Sequence, residues 1–140
     1  MEQRDLIPDQ IEQAGKVLAK LLSDLIGYKS KGMFTIGLEQ TRQELMSELK
    51  LDLNQIISSK GFDITNHEVF QNLKAEHFEI LSDYIHEIGE YSIFTDKIKA
   101  IACFERSIEL LKLADEVSKT MSFVRCDKRS ILENKLNTLT

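Results

Sequence analysis

The chain has 140 residues, enough for one domain that buries most of its apolar surface without disulfide or metal staples. Hydrophobic residues make up 42% and charged residues 29%, a balance that excludes an intrinsically disordered chain. The formal net charge of -5 argues against a phosphate-backbone partner, because no basic excess is there to neutralise phosphates.

There is one proline, Pro8, and six glycines, and so few breakers favour long helices over a many-turned β architecture. The opening MEQRDLIPDQ has no basic segment leading into an apolar run, so no secretory signal is expected. The most apolar stretch, VLAKLLSDLIGY, is interrupted by Lys20 and Asp24 and is too short to cross a bilayer. Cys103 and Cys126 match no metal-binding spacing and make no disulfide framework. The expectation is a cytoplasmic protein with reduced thiols, no cofactor, no metal, no membrane and no nucleic-acid partner.

The first predicted helix runs from Pro8 to Tyr28. Ile7, Ile11, Ala14, Leu18, Leu21, Leu22 and Leu25 recur at three- and four-residue steps and share a face. Pro8 suits a first helical turn, Asp9 and Glu12 suit the positive end of the dipole, and Gly32 marks a stop. The second helix covers Phe34 to Leu49, with Ile36, Leu38, Leu45, Met46 and Leu49 as apolar members. Asp52 is placed to cap a short helix from Leu53 to Ser59.

Thr65 and Glu68 have capping-box spacing and open a helix whose stripe is Phe70, Leu73, His77, Phe78, Leu81, Ile85 and Ile88, up to Gly89. Thr95 caps the next, in which Ile98, Ile101, Ala102, Phe104, Ile108, Leu111, Ala114 and Val117 repeat over several turns. Ser122 caps a last helix to Leu136, whose apolar face of Val124, Ile131, Leu132 and Leu136 is thin enough to suit surface packing. No segment alternates with period two, so the fold class is all-α.

The run Ala100-Ile-Ala-Cys-Phe104-Glu-Arg-Ser107 resembles the second helix of a tetratricopeptide repeat. That family places a small residue, an aromatic four later and a small residue three after that, because small residues let helices approach and the aromatic fills the gap. Aligned on this helix, Tyr84 and Tyr91 fall at the family's first-helix aromatics, and Gly89 falls one residue late for its small position. Lys112 stands where the family has proline. In the earlier pair Gly37 takes the small position and Thr41 replaces the aromatic. The stretch Leu113 to Arg125 also resembles the end of bacterial tetratricopeptide-like proteins.

The resemblance is concentrated between Lys74 and Arg125. It implies antiparallel helical hairpins in a right-handed array of about five or six helices. Residues 1–140 form one domain, with a degenerate hairpin over 8–49, a tetratricopeptide-like hairpin over 66–118 and a capping helix over 122–138.

Such arrays commonly bind proteins along a concave side lined by their first helices. Asn72, Lys74, His77, Tyr84 and Tyr91, with Phe94 nearby, are the residues the resemblance offers for that surface. The competing reading packs both tyrosines between hairpins.

Catalytic and metal chemistry have few candidates. Of His67, His77 and His86, the last two are nine residues apart and point to opposite sides of a helix. His86 has Asp83 and Glu90 at helical spacing, a set that can bind zinc or act as acid and base, or can simply be a solvated charged face. Cys103 lies inside an apolar stripe, where an inert thiol is expected. Cys126 lies near Arg125, Lys128 and Arg129.

Lys119, Arg125, Lys128, Arg129 and Lys135 give the end a modest basic balance, with only Phe123 as an aromatic companion. The lysine-bearing first helix reads as core rather than a membrane-surface element. Gly27, Gly32 and Gly37 make no phosphate-cradling pattern. The expected function is therefore a non-enzymatic protein-interaction module. A metal- or small-ligand-dependent enzyme using His86, and a structural homo-oligomer, stand as alternatives.

Overall fold

The computed structural model describes residues 8–58 and 68–140. Ile7, His67 and the Thr65 half of the expected capping box lie outside them. Every regular element among the described residues is a helix: α1 (Pro8–Ser30), α2 (Phe34–Leu49), α3 (Leu53–Ser58), α4 (Glu68–Gln71), α5 (Ala75–Ser92), α6 (Lys97–Ser118) and α7 (Phe123–Leu139).

Local chemistry sets most of the boundaries. After α1, Gly32 adopts a φ of 72°, a value that glycine tolerates because it has no Cβ, and the Met33 N–H returns to the Tyr28 carbonyl at 2.9 Å. At the end of α2, Lys50 turns left-handed at φ 58°, so that its N–H reaches Met46 and the Leu51 N–H reaches Leu45. Asp52 accepts the Gln55 N–H at 3.3 Å and opens α3. Ser122 accepts from Val124 and Arg125 and opens α7.

Three boundaries differ from the sequence reading. The helix expected from Thr65 to Ile88 is broken between α4 and α5. Lys74 is extended, at φ -92° and ψ 168°, and its N–H is taken by Nδ1 of His77 at 3.1 Å, so the chain restarts a helix there. Gly89 does not end α5, which continues through it to Ser92. The cap of α6 is Asp96 rather than Thr95, its carboxylate accepting the Lys99 N–H at 3.1 Å.

The α5–α6 pair is the most extensive contact in the fold. Midway along it the Ser82 hydroxyl donates to the Ser107 carbonyl at 2.9 Å, and the Ser107 hydroxyl donates to the Ser82 carbonyl at 3.1 Å, both in the core. Further along, a Cβ added at Gly89 would stand 2.7 Å from the Phe104 ring and 3.0 Å from the Cys103 Cβ. Only a residue without a side chain permits that approach.

The other helices attach to this pair. α1 packs against both α2 and α5. Gly37 makes room for the Tyr28 ring, and Gly15 makes room for the His77 ring, whose Nε2 would lie 2.5 Å from an added Cβ. The main apolar core joins Leu18, Leu21 and Leu25 of α1 with Leu45, Ile56, Leu81, Ile85 and Leu110. A second cluster on another side of α6 joins Phe104, Ile108 and Leu111 with Leu132 of α7. Between them lies α6, which also packs against α3, where the buried Arg106 donates through Nε to the Ile56 carbonyl at 2.6 Å.

Besides Leu132, charged groups hold the last helix. Arg125 is buried, and donates to Asp115 at 2.6 Å, to Glu79 at 2.9 Å, and to the Ser118 hydroxyl and Thr120 carbonyl, each at 3.1 Å. Lys128 pairs with Asp83 at 3.1 Å, and Lys135 pairs with Glu90. The partner numbers rise together along α5 and α7, so the two helices run side by side in one direction.

Three substitutions test these contacts. Gly89→Ala loses about 1–2 kcal/mol in urea unfolding, because overpacking against Phe104 outweighs a helix-propensity gain of about 1 kcal/mol. Gly27→Ala, with nothing within 4 Å of its added Cβ, instead gains a few tenths to about 1 kcal/mol. Arg125→Met leaves Asp115 and Glu79 facing each other without their cation and costs about 2–3 kcal/mol, read in the same experiment.

Candidate functional site

The five residues offered as a binding surface are not brought together. Tyr84 is only 2% exposed and His77 only 6%, so neither faces a partner. This corrects their assignment to an accessible groove. The Tyr84 hydroxyl meets Thr41 Oγ1 at 2.6 Å, and since the Thr41 hydroxyl donates to the Gly37 carbonyl, Tyr84 supplies the proton between them. Thr41 of α2 thus receives an aromatic from α5. Burial pushes the Tyr84 hydroxyl up to about 12, partly opposed by its bond to Thr41.

His77 sits against Gly15 with Nδ1 on the Lys74 N–H, which places the ring proton on Nε2. Burial pulls its pKa below the ordinary 6.5, outweighing the raising influence of Glu76. Asn72 and Lys74 stand at the start of α5, whereas Tyr91 is in its last turn, roughly 25 Å away at the usual rise per residue.

His86 is directed toward α6, its ring edge-on to Phe104 with centroids 5.7 Å apart, while His77 faces α1. The carboxylates near His86 are engaged elsewhere as well. Glu90 meets His86 at 3.2 Å and also Lys135, and Asp83 is turned to Lys128. Burial alone would raise the Glu90 carboxyl, but hydrogen bonds from Lys135 and His86 outweigh it and hold it below the ordinary carboxylate value. No three His, Cys, Asp or Glu side chains converge as a metal set among the described residues.

Cys103 is fully buried, and burial pushes its thiol up to about 12, so it is protonated at neutral pH. Cys126 is half-buried, with the Arg129 guanidinium 3.8 Å from its sulfur. The basic residues of the last helix are taken into internal pairs: Arg125 and Arg129 approach Asp115, and Lys128 and Lys135 approach Asp83 and Glu90. No helix among the described residues is long and apolar enough to cross a membrane.

Among the described residues, two surface clefts adjoin the α1–α2 pair. One, between α1 and α2, is polar and filled by its own network. Lys20 bridges Asp24 at 2.9 Å and Glu44 at 3.1 Å, and the Tyr28 hydroxyl donates to Gln40 at 2.8 Å. The other is apolar, about 380 Å³, and lies where the α1–α2 turn meets the last turn of α5. Met33, Phe34, Ile36 and Tyr91 line it, with Lys29 at its edge.

Tyr91 stacks on Phe34 with ring centroids 4.2 Å apart, and its hydroxyl pairs with Thr35 at 3.1 Å. It nevertheless stays 48% exposed. Phe94, in the turn that follows α5, is 95% exposed, and Ile98 is 81% exposed. Of this group the sequence reading offered Tyr91 and Phe94. Met33 went unremarked, and Phe34 and Ile36 were read only as members of an amphipathic helix. The available signal was an apolar Met33-Phe34-x-Ile36 cluster directly after a glycine turn, where polar residues are the rule.

No family model matches the chain, and comparison with curated proteins and with solved structures finds no significant match.

The buried His77 generates a pH test. A folded-state pKa below 6.5 means the native protein binds fewer protons than the unfolded chain. Its contribution is therefore complete above about pH 6.5 and declines as pH falls through that value toward the lower folded pKa. Urea unfolding between pH 7.5 and 5 is expected to show this decline, and His77→Gln to flatten it.

Proposed function

We propose that the chain is a non-enzymatic protein-interaction module of tetratricopeptide-like construction. Its open contact surface lies at the turn end of the helices rather than along the concave side. The observation that carries this reading is the apolar cleft at Tyr91, where a rigidly stacked aromatic remains half-exposed beside Met33 and Ile36. Exposed aromatic and aliphatic groups held in a preformed concavity are what protein recognition uses for its anchoring contacts.

Several relations support the tetratricopeptide-like part. Lys20 meets Glu44 while Tyr28 meets Gln40, so α1 and α2 run in opposite senses. Ser82 meets Ser107 while Gly89 meets Phe104, so α5 and α6 do likewise. α5 lies on both members of the first pair, through Gly15 and Thr41. α7 lies on both members of the second in the same way, through Glu79 and Asp115. That is the stacking by which each hairpin of a solenoid covers its neighbour.

In this reading 8–49 and 66–118 are the two hairpins and 122–138 is the cap. Support for a non-enzymatic role comes from the chemistry of Cys103, which is buried and protonated, and of Glu90 and Asp83, which are ion-paired.

The test is affinity capture from native lysate with the intact chain and with an Ile36→Glu, Tyr91→Ala variant. Both positions are about half-exposed; loss of the Tyr91 stack on Phe34 lowers the melting temperature modestly, and circular dichroism checks that the helix content is unchanged. A partner retained by the intact chain and reduced about tenfold or more by the variant is the expected result. Equal capture by both proteins, or turnover of a substrate in activity screening, would sink the reading.

A further inference from the structure

The turn end that carries the Tyr91 cleft has a charge of its own. Lys29, Lys31, Lys97 and Lys99 belong to it, against three carboxylates, Glu87, Glu90 and Asp96, of which Glu90 is held by Lys135. Lys29 and Glu87 neutralise each other at 2.8 Å. Asp96 accepts the Lys99 backbone N–H as the cap of α6. The ammonium groups of Lys31, Lys97 and Lys99 have no ion pair among the described residues, whereas Lys20, Lys128 and Lys135 are each bridged to a carboxylate. A chain of net charge -5 thus presents a local positive excess around a group of exposed apolar side chains that includes Phe94 and Ile98.

We propose that this end binds an acidic, amphipathic peptide segment of another protein. Its apolar side chains enter the cleft formed by Met33, Phe34, Ile36 and Tyr91. Its carboxylates face Lys31, Lys97 and Lys99. The inference rests on the protein-interaction reading above and adds the chemistry of the partner.

Three features favour such a segment. The cleft is concave and stiffened by the Phe34–Tyr91 stack, so it accepts an inserted side chain rather than a flat surface. Phe94 follows Tyr91 by three residues, in the turn after α5, and is almost fully exposed, so it offers a second apolar contact beyond the cleft. Lys31 precedes Met33 by two residues, between the two clefts, and Lys97 and Lys99 bracket the exposed Ile98 in the first turn of α6, positions from which they can steer an acidic partner.

The experiment selects binders to the intact chain from a displayed library of random peptides, then measures affinity for a synthetic copy of the best one. The expected peptides carry paired apolar residues among Asp and Glu. Their binding is abolished by Ile36→Glu, and weakened about tenfold or more both by the Lys31→Glu, Lys97→Glu, Lys99→Glu variant and by raised salt.

A peptide lost with Ile36→Glu but indifferent to lysine reversal and salt would overturn the acidic-partner inference while leaving the interaction reading standing. A library that yields no binder, or only binders untouched by Ile36→Glu, removes both. Cosedimentation with vesicles of mixed phosphatidylglycerol and phosphatidylcholine that requires Phe94 and the lysines, without peptide selection, assigns the end to a lipid surface and overturns the proposal. Concentration-dependent dimerisation abolished by Ile36→Glu assigns it to a second copy, with the same consequence.

Discussion

Everything in this fold is arranged around the close approach of α5 and α6. A serine inside a helix ordinarily bonds back to a carbonyl of its own preceding turn, as Ser92 does to Ile88 at 2.8 Å. Ser82 and Ser107 instead reach across the interface and each satisfies the other's carbonyl. The exchange leaves no buried hydroxyl unpaired and draws the two backbones close enough that Gly89 must lie bare against Phe104. Each such bond contributes on the order of 1 kcal/mol. The greater effect is on register, since a shift of either helix would strand both hydroxyls in the core.

Once that register is set, α6 is enclosed on several sides. The main core meets it through Cys103, Leu110 and Ala114, and the second cluster through Phe104, Ile108 and Leu111. Two buried arginines extend the same organisation to neighbouring segments. Arg106 reaches the Ile56 carbonyl of α3, and Arg125 gathers α5, α6 and the α6–α7 turn around one guanidinium. A guanidinium suits this task because its several N–H groups spread in fixed directions and can satisfy acceptors on different elements at once.

This arrangement also decides where function can reside. Glu79, Asp83 and Glu90 recur along one side of α5, and α7 answers them with Arg125, Lys128 and Lys135. Carboxylates and cations that look chemically available in a linear reading are consumed in joining helices. His86 contributes to the same join through Glu90. Among the described residues, one surface left with unsatisfied character is the turn end, where apolar side chains and lysines have no such complement. Sites of recognition commonly fall on connecting segments held by a rigid scaffold, and here the scaffold is the pair of helical turns fastened by Phe34 and Tyr91.

The sequence by itself determined the all-helical class and most helix limits, because these depend on chemistry within a few residues. Gly32 and Ser122 act as expected, and the three-and-four-residue recurrence of Leu18, Leu21 and Leu25 marks a face that is buried. It also separated His77 from His86, since angular position on a helix is periodic. Only the tertiary structure decided that Gly89 is an interior contact rather than a stop, because nothing local distinguishes a glycine that ends a helix from one that admits a neighbour's ring. The same holds for the break at Lys74, which depends on His77 turning back under the pressure of α1. It holds as well for Tyr84 and Tyr91, two similar side chains seven residues apart on one helix. One is sealed by Thr41 and the other is left open beside Phe34, because exposure is fixed by what packs above a residue, and that comes from distant parts of the chain.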